Sequence, residues 1–217
     1  SLTVRFVEGV DPQPIIFDSR LRIMGRGIKA SLRREGTWVL HTQGASQRRV
    51  EAALHTYFAV AGVDACTVQG LDGATVVDKL TGGVTEQSGD LRPTGAIDRI
   101  HRTAGPGGTV TLDDGGRSIR IESQGCADTV VWNPGPEGAR SLSDTPDDGW
   151  DAFLCVESTC IGECADGVDH SIHLEPGGHH TLSVTYTASD AGSVPPGDAP
   201  AAGGEGAPGA EDWREDG

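Results

Sequence analysis

The chain has 217 residues, a hydrophobic fraction of 36% and a formal net charge of −15, from 32 acidic against 17 basic side chains. That excess of negative charge repels both nucleic acid and anionic membrane surfaces, so neither is expected as a partner. The sequence has no run of 18 apolar residues, no charged-then-apolar leader pattern and only five irregularly spaced cysteines. A soluble, cytoplasmic monomer without a disulfide framework is therefore expected.

Ser1 leads almost directly into a strand-like run, Leu2 to Val7. Short β-like runs then follow one another, bounded by Gly, Asp and Pro: Arg20 to Ile23, Gly27 to Leu32, Thr37 to Thr42, Val50 to Ala59, Ala65 to Val68 and Thr109 to Leu112. The series continues with Ser118 to Ser123, Thr129 to Trp132, Ala152 to Ser158, Ser171 to Glu175 and His180 to Thr187. Short strands with frequent turn signals predict an all-β sandwich or barrel. No segment keeps a helical period. In Ser118-Ile119-Arg120-Ile121-Glu122 the two Ile face one way and the polar residues the other, the pattern of a half-buried antiparallel strand. Asp113-Asp114-Gly115-Gly116 lies between two such runs and reads as a hairpin turn rather than a phosphate loop, since no helix follows.

From Ser189 to Gly217 the composition changes to Ala, Gly, Pro, Asp and Glu, with seven acidic residues against one Arg and Trp213 as its only large apolar residue. Such a segment buries too little surface to offset its ordering entropy, so 189–217 is expected to be a disordered acidic tail on a domain formed by residues 1–188.

The run Ala53-Leu54-His55-Thr56-Tyr57-Phe58 is followed by Val68-Gln69-Gly70-Leu71-Asp72-Gly73-Ala74-Thr75 and by Asp78-Lys79-Leu80. Next come Asp98-Arg99-Ile100, Val130-Val131-Trp132-Asn133-Pro134, Cys155-Val156-Glu157 and Pro176-Gly177 ahead of His180-Thr181-Leu182. In this order the segments resemble the hexose-6-phosphate mutarotases, that is, the glucose-6-phosphate 1-epimerases, which are related to the galactose mutarotases. The resemblance runs from about Arg20 to Thr187. It implies a galactose mutarotase-like supersandwich of antiparallel sheets, N-terminally incomplete because the family's first strands, with their basic phosphate ligands and a second His, have no counterpart before Ser1. His101 stands where the family commonly has an aromatic, and Gly135 follows Asn133-Pro134 where members often carry Trp.

The resemblance also implies roles. His55 becomes the general acid toward the ring oxygen of the sugar, Glu157 the base that takes the anomeric proton, and Asp98 an acceptor for sugar hydroxyls. The residues suit these roles on their own terms. Alternation along the strand puts His55 and Tyr57 on one face and Leu54, Thr56 and Phe58 on the other, and imidazole exchanges protons near neutrality. Ala152 to Val156 is apolar on both faces, which marks a central strand with a carboxylate at its end. The expected activity is interconversion of the α and β anomers of a hexose 6-phosphate or another aldose, with no cofactor and no metal. The alternatives are a noncatalytic carbohydrate-binding protein and an inactive fragment of the same fold. Cys160, Cys164, His170 and His173 offer four soft ligands, but their spacing matches no recognised zinc motif and a surface loop is the preferred reading. Cys66, Cys126 and Cys155 read as small core residues.

Overall fold

A computed structural model describes residues 16–24, 28–32, 37–42, 46–103, 105, 107–142 and 148–190. The strand expected at Leu2 to Val7 and the tail beyond residue 190 lie outside the described residues. The described strands, in chain order, are β1 (Ile16–Met24), β2 (Ile28–Leu32), β3 (Thr37–Thr42), β4 (Arg48–Ala59), β5 (Thr67–Gln69), β6 (Thr75–Asp78) and β7 (Val84–Glu86). They continue as β8 (Ile97–Arg102), β9 (Gly107–Asp113), β10 (Arg117–Gln124), β11 (Asp128–Asn133), β12 (Phe153–Cys160), β13 (Ile172–Leu174) and β14 (His179–Asp190). Among the described residues there is one α-helix, the short α1 (Gly135–Ala139), which follows β11.

The strands form two sheets, and the pairings between them are antiparallel. The larger sheet has the order β1-β4-β12-β11-β8-β6-β7, with β13 also paired to β4, and the smaller the order β2-β3-β14-β10-β9-β5. The all-β architecture expected from the sequence is therefore present. No described helix is long and apolar enough to cross a membrane.

Alternation builds the interface between the sheets. Leu54 and Phe58 of β4, Leu154 and Val156 of β12 and Val131 of β11 meet Ile119 and Ile121 of β10, Val110 and Leu112 of β9 and Val184 of β14 in one buried cluster. Thr56 points into the same layer, where its hydroxyl lies 2.9 Å from that of Tyr186, so neither polar group is buried without a partner. The hairpin between β9 and β10 forms at the expected place. Asp113 accepts the N–H of Gly115, Asp114 accepts those of Gly116 and Arg117, and Gly115 supplies the positive φ of 83°.

Four features depart from expectation. Val63–Ala65 is a 3₁₀ turn, so β5 starts two residues later than expected; the Asp151 carboxylate accepts the Val63 N–H at 2.8 Å and holds the turn. Ser189 and Asp190, assigned to the tail, continue β14 opposite Ser118 and Arg117. Glu157 does not end its strand but lies within β12, whose eight residues are all buried. Three strands were not anticipated: β6, β7 and β8. The last, Ile97-Asp98-Arg99-Ile100-His101-Arg102, is mostly polar and is tolerated inside the sheet because its charges are matched. Lys79 lies 3.2 Å from Asp98, Asp78 lies 2.9 Å from Arg99, and Asp128 and Asp166 flank Arg102.

Gly135 is fixed by its surroundings. Its φ is +63°, and a Cβ there would approach both the Cβ and the backbone nitrogen of Ala96 to 2.8 Å, so a Trp cannot replace it without moving the chain.

His101, in the place of the usual aromatic, has no exposed surface, and neither ring nitrogen has a hydrogen-bond partner among the described residues. Burial drives its pKa down to about 4; the Thr129 backbone offsets this only in part without reaching hydrogen-bond geometry, and the charge of Arg99 adds to the depression. The unfolded chain takes up this proton near pH 6.5, whereas the folded protein does so only near pH 4. Stability is accordingly lost as pH falls through that window, by about 3 kcal/mol in all. His101→Phe is expected to remove this loss, visible as a flatter dependence of urea midpoint on pH between 6.5 and 4. An unchanged slope would place the acid sensitivity elsewhere.

Candidate active site

Antiparallel register brings together residues from opposite halves of the chain. Cys155 pairs with Tyr57 and Ser158 with Leu54, and the same register between them sets Glu157 across from His55. On the other side of β12, Glu157 pairs with Val130 and Cys155 with Trp132, while Trp132 in turn pairs with Asp98 of β8. Partners across a ladder and residues two apart on a strand share a face. His55, Tyr57, Cys155, Glu157, Trp132 and Asp98 therefore occupy one surface of the larger sheet, opposite the layer packed against the smaller sheet.

His55 Nε2 stands 3.4 Å from Glu157 Oε1, with side chains only 10% and 6% exposed. Around this pair the His55 ring stacks on Tyr57 with centroids 4.9 Å apart, and the Trp132 ring meets His55 edge-on at 5.7 Å. Tyr57 and Trp132 each pack against Phe153 as well. The aromatic wall excludes water and restricts ring rotation, so the imidazole and carboxylate are held in mutual reach.

Asp98 stands two strands from β12, which at the usual strand spacing is about 10 Å across the sheet, with Trp132 between. Its Oδ2 pairs with Lys79 Nζ, whereas its Oδ1 is buried and accepts no hydrogen bond among the described residues. A buried acceptor left unsatisfied in the protein is suited to a hydroxyl brought by a ligand. The three residues expected to form the site thus lie on one face, two in direct proximity and the third displaced along it. Trp132 and Tyr57 were not singled out as site residues, although the alternation that places His55 also places Tyr57. Arg20 of β1 is the Cα partner of His55, a further position that sequence reading did not attach to the site.

The Cys and His residues after Glu157 do not converge on a common metal. Cys160 Sγ is 3.1 Å from the Gly125 carbonyl, to which His180 Nε2 also lies at 2.7 Å. His170 Nδ1 lies 2.6 Å from Asp128, while His173 is near Asp169 and Ser171 at the surface. The loop after β12 is organised instead by Arg102. Its guanidinium donates to Asp128, to Asp166 and to the carbonyls of Ile161, Gly162 and Val168. Ile161 and Cys164 of this loop then pack against Val77, Ile100, Val130 and Trp132, on the face that carries the site. Cys66 and Cys126 are buried as expected, and burial together with nearby Asp114 pushes the Cys66 thiol up to about 12. Cys155, also buried, faces His55 and Glu157 rather than the layer between the sheets.

Comparison with known proteins gives the class of protein to which this antiparallel sandwich belongs. The sequence profile of the aldose 1-epimerase family matches residues 28–187, and the chain belongs to that family. A relative from Escherichia coli (strain K12), named a glucose-6-phosphate 1-epimerase, is 32% identical over 114 residues, or 52% of this chain and 38% of the relative. One of the same name from Cenchrus ciliaris is 28% identical over 151 residues, 66% of this chain and 44% of the relative. The matched stretches cover less than half of these relatives.

Among solved structures, a mutarotase from Salmonella typhimurium superposes with a TM-score of 0.56 at 20% identity, over 79% of this chain and 61% of that one. An aldose 1-epimerase from Escherichia coli K12 gives 0.55 at 14% identity, over 80% and 66%. All four carry the word "putative" in their names. The structural likenesses establish the fold, which is galactose mutarotase-like.

Proposed function

We propose that the protein interconverts the α and β anomers of a hexose 6-phosphate, with Glu157 as base, His55 as acid and Asp98 as a hydroxyl acceptor. The observation that carries this reading is the 3.4 Å approach of His55 Nε2 to Glu157 Oε1 on one buried face. Mutarotation needs one group to take the proton of the C1 hydroxyl while another protonates the ring oxygen. Both oxygens are attached to the same carbon, so acid and base must lie within a few ångströms of each other. The ring then opens, the C1–C2 bond rotates, and closure reverses the two proton transfers. Acid and base terms of about 10²- to 10⁴-fold each are available to such a pair.

Trp132, lying between the pair and Asp98, gives the sugar ring an apolar face to rest on while Asp98 Oδ1 receives one of its hydroxyls. The phosphate is supported by the names of the curated relatives and by a cationic residue at the margin of the site, Lys79, which lies beside Asp98.

The test is exchange between the two C1 proton signals of glucose 6-phosphate, followed by NMR with glucose in parallel. Exchange faster than in buffer, and faster for the phosphate than for glucose, is expected. Binding without exchange would favour the noncatalytic carbohydrate-binding reading. Asp98→Asn is expected to weaken binding as well as rate, by about tenfold or more in affinity, because hydroxyl contacts are present in ground state and transition state alike.

A further inference from the structure

Cys155 takes no part in the proton transfers just described, yet its sulfur, an imidazole nitrogen of His55 and a carboxylate oxygen of Glu157 all lie within 4.8 Å of one another. We propose that these three side chains form a binding site for a single thiophilic divalent cation of the zinc class, and that occupation of this site blocks acid–base chemistry at the same residues.

The argument begins with distance. Zinc binds imidazole nitrogen and carboxylate oxygen at about 2.0–2.2 Å and thiolate sulfur at about 2.3 Å, with near-tetrahedral angles. Two ligands about 2.1 Å from a tetrahedral centre are about 3.4 Å apart, which is the separation of His55 Nε2 and Glu157 Oε1. The sulfur completes the set after a small side-chain adjustment. Cys155 and Glu157 occupy alternate positions on one central strand and His55 the facing strand, so the backbone presents three ligands to one point without help from a loop.

Chemistry and charge select the ion. Imidazole with thiolate favours zinc-like metals over magnesium or calcium, which take oxygen ligands. One thiolate and one carboxylate carry two negative charges, so a divalent cation leaves the buried site neutral. Binding converts the Cys155 thiol to a thiolate and releases one proton, with no change of oxidation state. Three protein ligands leave a fourth tetrahedral position for water or a sugar oxygen, the pattern of open zinc sites. Because the metal occupies the imidazole lone pair and the carboxylate, the loaded protein cannot transfer protons through them.

The site rests on the geometry of three residues and not on the proposed reaction, so its test reads metal directly. The full chain, kept reduced with a phosphine and stripped of metal, is titrated with Co²⁺ and observed by absorption. One equivalent is expected to give the visible bands of tetrahedral cobalt together with a near-ultraviolet thiolate-to-cobalt band, both abolished by added Zn²⁺. Cys155→Ser should lose the thiolate band and weaken affinity tenfold or more. Glu157→Gln should weaken affinity while keeping the thiolate band, a second variant that serves if the first does not fold. Cys160→Ser and Cys164→Ser should leave both bands in place. Absence of tetrahedral bands, or a thiolate band that survives Cys155→Ser, overturns the proposal whatever the outcome with sugar phosphates.

Discussion

Glu157→Gln is expected to slow anomer exchange by about 100-fold or more while changing sugar affinity only modestly. The amide keeps the size and hydrogen-bonding reach of the carboxylate but cannot accept the anomeric proton, so the interaction removed belongs to the transition state. His55→Asn should act in the same direction. The readout is saturation kinetics by NMR exchange, which separates the maximal rate from binding. Glu157 lies in the middle of an entirely buried strand, so circular dichroism and a urea melt must accompany the kinetics. A gentle structural effect is expected, because Gln replaces a buried carboxylate with a neutral group of equal volume. A folded variant with undiminished exchange would place the base elsewhere.

The largest loss of stability is expected from Arg102→Leu. The guanidinium is 3% exposed and sits between the carboxylates of Asp128 and Asp166, themselves 0% and 2% exposed. Its removal takes the guanidinium countercharge from two buried carboxylates and a donor from each of three loop carbonyls, of which that of Ile161 keeps the His170 N–H. Breaking a buried ion pair by removing one partner costs about 3–5 kcal/mol, or roughly 10 °C or more in melting temperature for a domain of this size. Because the released loop carries Ile161 and Cys164 off the site face, any activity should fall as well. Adding Asp128→Asn and Asp166→Asn to the same chain should restore part of the stability, since the uncompensated charges are then gone. A triple variant no better than Arg102→Leu would show that the donors to the loop carbonyls matter more than the charges.

Where a segment obeys a simple period, its sequence revealed its place. Ile119 and Ile121 alternate with polar neighbours and lie in the sandwich core as that alternation requires, and β3 spans the predicted residues. Strand β8 was hidden for the opposite reason. Its polar residues find partners on β6, on β11 and in the loop after β12, information that no local pattern contains. The same holds at the site. Alternation oriented His55, but the approach of Glu157 depends on the register of β4 against β12, a relation between distant parts of the chain. The apolar run Ala152 to Val156 predicts a strand that ends at Glu157; that the strand continues to Cys160 and buries the carboxylate beside an imidazole is not contained in that local pattern. Cys155 looked like a core residue by composition, and only the face it occupies separates it from Cys66.

The cross-strand origin of the site has a kinetic consequence. β4 is flanked in the sheet by β1 and β12, so its neighbours come from before it and from well beyond it in the chain. Closing so long a loop has a large entropic cost before any contact offsets it, which makes pairing of β4 with β12 a slow event in folding. His55 and Glu157, the proposed acid and base, are not neighbours until that pairing is complete. Local hairpins such as β9–β10 can form while the His–Glu pair does not yet exist. Under the proposed function, recovery of anomer exchange in refolding would therefore report on closure of the larger sheet rather than on the first appearance of β structure.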